Sequence, residues 1–192
     1  MEADEVKKNY KSGQRDFGSK DLSDADFSKI DLTEINFANS NLSSANLSWT
    51  NMNGANLSEA DLNYADLSKA KLSHANLKGA NLGGANLSGA DLSGANLSEA
   101  HLDNANLSKA ILNGANLTKA ELNGADMSKA NLSGSVLSQA DLSNANLSKA
   151  NLSSADLNRA DLSSANLSGA TLIGAILSGI DLAGADLDGT KF

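Results

Sequence analysis

From Phe17 to Phe192 a large apolar side chain stands at every fifth position, thirty-six in all, and only Met52 and Met127 depart from Leu or Phe. A small residue sits two positions earlier: Ala60 through Ala130 in unbroken steps of five, Ser135 once, then Ala140 through Ala175. Asn or Asp usually separates the two apolar positions. Ser and a variable residue, often Gly, complete each unit.

An α-helix turns about 100° per residue, so a five-residue step would scatter the leucines over every face. One continuous strand fails too, because an odd step sends alternate leucines to opposite faces. Local extension followed by a corner satisfies the pattern. Ala and Leu then point inward together, the residue between them points outward, and Ser with the variable residue makes the corner.

Thirty-six tandem A-[ND]-L-[ST]-x units without an insertion resemble the pentapeptide-repeat family, from about residue 17 to residue 192. The resemblance implies an all-β solenoid, a right-handed quadrilateral parallel β-helix of about nine coils with four pentapeptides per coil. At about 4.8 Å per coil the rod would be roughly 43 Å long. The lysines at variable positions support a 20-residue coil independently. Of Lys29, Lys69, Lys109, Lys119, Lys129 and Lys149, all but Lys119 share a remainder on division by 20 and would stack on one face.

Residues 1–16 read as a short α-helical cap and 17–192 as the repeat body. In EADEVKKNYKSG acids come first and lysines last, which suits the helix dipole; Val6 and Tyr10 are spaced i, i+4, and Gly13 can end the helix. NYKSGQRDF also resembles the N-terminal caps of cyanobacterial and other bacterial family members. A cap matters because an uncovered coil exposes an apolar slice and unpaired strand edges.

The chain has 192 residues, no Cys, no Pro, 4% aromatics and a net charge of −8. Disulfides and thiolate metal sites are excluded, so packing and backbone hydrogen bonds must hold the fold. No stretch approaches the ~20 apolar residues of a membrane span and no signal peptide is evident, so a cytoplasmic protein is the expectation. The histidines, His74 and His101, fall at different positions in the coil, which argues against a shared metal site. A nearly convex rod offers no pocket to bring a base to a nucleophile, and no phosphate-binding glycine loop is present. The reading is a non-enzyme without a cofactor or a metal.

Two charge ladders stand out. Glu121, Asp141, Asp161 and Asp181 would form an acidic strip, either a surface for a basic partner or a consequence of the repeat's preference for Asp and Asn. On the next face Lys109, Lys129 and Lys149 form the opposite ladder. Trp49, between Lys29 and Lys69, should be exposed and could stack with a lysine or anchor a partner. Asp66 and Asp126 should partly neutralise this strip. Acidity disfavours direct nucleic-acid binding.

Near the C-terminus Ile173 and Ile176 point outward and Ile180 inward. With Phe192 they suggest either a homodimer through the C-terminal coils, as the resemblance implies for family members, or a last coil covered by its own side chains. For function, the regular surface points to a scaffold or protein-interaction module with an unknown protein partner. The resemblance adds two alternatives: a DNA-mimicking protector of bacterial DNA gyrase, and a regulator of the cyanobacterial differentiation type. Leucine rather than phenylalanine at the central position, and the lack of an inserted loop, depart from many gyrase-directed members.

Overall fold

The computed structural model describes residues 2–192. Parallel β-bridges join each residue before a central Leu or Phe to the one 20 positions later, from Asp16↔Asn36 to Thr171↔Lys191. The chain is therefore a β-helix-like solenoid with a 20-residue coil, as the lysine spacing predicts.

The unit 45–49 shows why this sequence closes into coils. Ala45 N–H donates to Leu42 O (3.1 Å) and closes a turn; Asn46 N–H donates to Ala25 O in the preceding coil (2.9 Å). Leu47 and Trp49 donate to Asp66 O (2.7 Å) and Ser68 O (2.9 Å) in the following coil. The remaining donor, Ser48 N–H, is taken by the Oδ1 of Asn46 (3.1 Å). All five N–H groups are thus paired, three between coils, one in the turn and one by a side chain. The preference for Asn or Asp before leucine has this cause: a short side-chain oxygen reaches the N–H two residues on.

Each corner closes with the second turn residue at positive φ, from Ser19 (56°) to Gly189 (65°). Positive φ there with an i→i+3 bond is the type II arrangement. The central Leu, Phe and Met residues from Phe17 to Leu172 and the inward alanines from Ala45 to Ala170 form one continuous buried column, with Ser40, Thr50 and Ser135 as its buried polar members. Their hydroxyls donate to Phe17 O (3.0 Å), Phe27 O (2.7 Å) and Leu132 O (2.7 Å), so none is left without a partner.

The helix expected at the N-terminus is present as α1 (Ala3–Lys11). Its Val6 is fully buried in the core, and the Tyr10 hydroxyl donates to Thr33 O (2.9 Å). Phe17, Phe27 and Phe37 fill the coils beneath it, with ring centroids 5.6 and 6.2 Å apart. At the opposite end the core opens. Leu177, Ile180 and Leu182 are half-buried, Leu187 is 37% exposed and Phe192 63% exposed.

Candidate functional site

The acidic ladder is one column, with Glu121, Asp141, Asp161 and Asp181 bridged in succession. Its aspartates serve the turns. Asp141 Oδ1 accepts from Ser143 N–H (2.9 Å), Asp161 Oδ1 from Ser163 N–H (2.8 Å) and Asp181 Oδ1 from Ala183 N–H (2.9 Å). Glu121 instead faces a residue that sequence reasoning left out of this strip. His101 precedes it by one coil, and the His101 Nδ1 lies 2.6 Å from the Glu121 Oε2. The 20-residue separation of the two was the available signal.

Lys29, Trp49, Lys69, Lys109, Lys129 and Lys149 occupy corners of one edge, interrupted once by Gly89, all exposed and all at φ between 58° and 60°. None takes part in the ion pairs among the described residues, which are Lys7–Asp4, Lys78–Glu99 and His101–Glu121. Asp66 and Asp126 do not pair with these lysines. Each accepts from the serine N–H two residues on (2.9 and 3.0 Å) and from the Nδ2 of Asn86 or Asn146 (3.1 Å each). The expected lysine stacking on Trp49 is also absent among the described residues. The cation–π contacts are at the cap, Arg15 over Tyr10 (3.9 Å) and Lys7 over Phe27 (6.0 Å). The Lys69 side chain leans away from Trp49, over the corner of Gly89 in the next coil.

That lean belongs to a complete belt. Gly79, Gly84, Gly89 and Gly94 take all four corners of one coil, and Glu59, Tyr64, Lys69 and His74 lie over them. Tyr64, not singled out in the sequence, is 75% exposed beside Trp49 at 61%. His74 and His101 are on different columns, as the repeat arithmetic requires. No group of three or more His, Cys, Asp or Glu side chains among the described residues is arranged for a metal ion.

The expectation of a surface without pockets is corrected at the cap, because a helix laid across a four-sided coil leaves its flanks open. One cleft of about 480 Å³ is lined by Lys7, Tyr10, Lys11, Arg15, Ile30, Asp31 and Leu32. Another of about 400 Å³ lies on the acidic flank beside Asp21, Asp24 and Asp26. Three carboxyls around the two clefts are held below the ordinary range. Asp21 and Asp26 accept first from the backbone N–H and then from the hydroxyl of Ser23 and Ser28; Asp31 accepts first from the Thr33 hydroxyl and then from its N–H. Burial pushes the Tyr10 phenol upward.

Ile173 and Ile176 flank the corner at Gly174 and are each 55% exposed. They lie on the side of the rod, whereas Phe192 belongs to the open last coil. Among the described residues no helix is long and apolar enough to cross a membrane.

Comparison with known proteins agrees with this geometry. The pentapeptide repeats family matches in eight copies over residues 21–58, 55–94, 95–134, 125–163 and 165–192. Among solved structures, the chain is similar to HetL, a pentapeptide repeat protein involved in heterocyst differentiation regulation from the cyanobacterium Nostoc. The two are 34% identical over 100% of this chain and 94% of that one, with a TM-score of 0.41. It is also similar to QnrB1, a plasmid-mediated fluoroquinolone resistance protein, at 20% identity over 88% of this chain and 92% of that one, with a TM-score of 0.59. A pentapeptide repeat protein of the Arabidopsis thaliana thylakoid lumen is 33% identical over 66% of this chain and 68% of its own, with a TM-score of 0.41. No curated protein sequence matches. With the family model covering nearly all of residues 21–192, the chain belongs to the pentapeptide-repeat family.

Proposed function

We propose that the chain is a non-catalytic scaffold: a right-handed quadrilateral β-helix over 17–192, capped over 1–16, whose outer columns hold a protein partner. The observation that carries this reading is the pairing of the repeat backbone around a filled core, complete in residues 45–49. Fold maintenance is met by the inward Leu and Ala and by the turn-forming Asn and Asp. The corner side chains are left over, held outward at fixed spacing, which is how extended solenoids present binding surfaces.

A DNA-mimicking gyrase protector asks for a broad negative face. Here the acidic column of Glu121, Asp141, Asp161 and Asp181 is one residue wide, meets His101 at its head, and gives way two corners on to Lys129 and Lys149. Scaffold therefore ranks above gyrase mimic, and a differentiation regulator would be one form of scaffold. The exposed Ile173, Ile176 and Phe192 support a homodimer through the C-terminal coils.

The test is capture of proteins from source-cell extract on the immobilised full chain, then reconstitution of each purified candidate, with gyrase included. Co-elution of the chain with one purified partner as a stable complex is the expected result, with the free chain sedimenting at twice its monomer mass. Failure of every purified candidate to co-elute overturns the scaffold reading.

A further inference from the structure

We propose that the corner edge formed by Lys29, Trp49, Lys69, Lys109, Lys129 and Lys149 is a docking strip for an extended, acidic segment of a partner protein. The inference rests on the scaffold reading and names the chemistry of the partner. Its first support is the separation of charges. The protein has 23 acidic residues against 15 basic ones, so carboxylates are plentiful, yet none pairs with these lysines among the described residues. The nearest column of acids, with Asp26, Asp66 and Asp126, has an oxygen turned to serine N–H groups instead. Five like charges are thus held along one edge without an ion-pair partner, and of the five only Lys29 is seen to act on a neighbouring shifted carboxyl, that of Asp26.

Continuity is the second support. The single glycine interrupting the run, Gly89, is overlain by the Lys69 ammonium, so a charge sits at that level too. Lys149 likewise extends over Gly169, its Cγ 3.5 Å from where a Cβ would stand. At about 4.8 Å per coil the six steps from Lys29 to Lys149 span roughly 29 Å, which about nine residues of extended peptide would cover. Trp49 adds an apolar anchor. The Trp49 side chain is 61% exposed at its corner, and exposed Trp is enriched at binding hot spots.

Width selects an acidic peptide over a nucleic acid. The strip is one side chain wide, with the Asp26, Asp66 and Asp126 column on one side and a mixed column, with Asp31, Lys71 and Asp91, on the other. A single chain of carboxylates fits between these acids; the broader phosphate field of a nucleic acid meets them. Lysine is also a point charge without the planar fork that arginine offers to phosphate.

The probe is a fluorescein-labelled peptide of about nine glutamates, titrated into the full chain at low salt and followed by anisotropy and by the emission of Trp49, the sole tryptophan. A glutamine peptide of equal length and a single-stranded oligonucleotide of equal charge serve as comparators. The acidic peptide should bind in preference to both and change Trp49 emission. Replacing Lys109, Lys129 and Lys149 by Gln should weaken binding about tenfold, while replacing Lys20, Lys119 and Arg159 by Gln, an equal change in net charge off the edge, should weaken it less than about threefold. Equal losses in the two variants, tighter binding of the oligonucleotide, or no binding of the acidic peptide overturns the proposal. If the strip fails while a purified partner still co-elutes with the chain, the scaffold reading stands and another column carries it.

Discussion

A corner residue at positive φ is the unit on which the whole coil depends, and most such residues here are not glycine. Twenty-two non-glycine side chains, among them Trp49, Tyr64 and ten Lys, Arg or Glu residues, hold φ between 55° and 61°. The left-handed region costs an L-residue about 1–2 kcal/mol, so these corners persist because hydrogen bonds to both neighbouring coils over-determine them. The last four corners, Gly174, Gly179, Gly184 and Gly189, donate to no following coil, and they are all glycine, as is Gly169 before them. Gly114 isolates the backbone cost, since a Cβ built there meets nothing within 4 Å at φ +66°. Gly114→Ala should lower stability by about 1 kcal/mol and Gly114→Asn by less, because Asn tolerates this region; urea denaturation of the two variants checks both values. A neutral Gly114→Ala would mean that the corner can relax out of positive φ. The turn was legible in the sequence, but its handedness was masked, because Lys, Glu and Trp are not residues that announce positive φ. His101–Glu121 was missed for a different reason: its partners are a coil apart and become neighbours only when the 20-residue period is applied to every charged residue.

At the scale of elements, α1 and the coils beneath it are joined by a few specific groups. Val6 fills the end of the core, Tyr10 bonds Thr33 O, and Arg15 lies over the Tyr10 ring while donating to Tyr10 O (3.0 Å). The helix was legible from its charges and the i, i+4 spacing of Val6 and Tyr10. The flanking clefts were not, because they depend on how α1 crosses the first coils, which no local pattern specifies. The same coils carry the acid sensitivity. Asp21, Asp26 and Asp31 have their carboxyls lowered by accepting from Ser23, Ser28 and Thr33. A lowered folded-state value means these groups favour the fold above the unfolded carboxylate range, near pH 4, and lose that contribution as pH falls through the folded value. Melting followed by circular dichroism should therefore show the parent losing stability between about pH 4 and pH 2. Replacing the three aspartates by Asn should flatten that decline, since an amide keeps the acceptor without titrating. An identical slope in the variant would place the acid sensitivity elsewhere.

For the whole molecule, the repeat makes every coil nearly equivalent in sequence and leaves position along the rod as the main variable. In a solenoid each unit gains stability from its own packing and from its neighbours on either side. The column containing Leu107 and Leu187 offers the comparison directly, since both follow the same register 80 residues apart. Leu107 is fully buried between coils, whereas Leu187 in the open last coil is 37% exposed. Replacing buried leucine by alanine removes transfer free energy and leaves a cavity, typically about 2–5 kcal/mol; a partly solvated leucine has already lost much of the first and can refill the second with water. Leu107→Ala should therefore cost about 2–5 kcal/mol and Leu187→Ala less than about 1 kcal/mol, read from denaturation midpoints. That difference was not in the five-residue pattern, which writes the same leucine at both places; it comes from which coils have neighbours. Covering the last coil should make the two leucines more alike. If the chain dimerises through Ile173, Ile176 and Phe192, the Leu187→Ala cost should rise with protein concentration while the Leu107→Ala cost stays constant. A Leu187→Ala cost that is small at every concentration would separate the rod's stability from any pairing of its C-terminal coils.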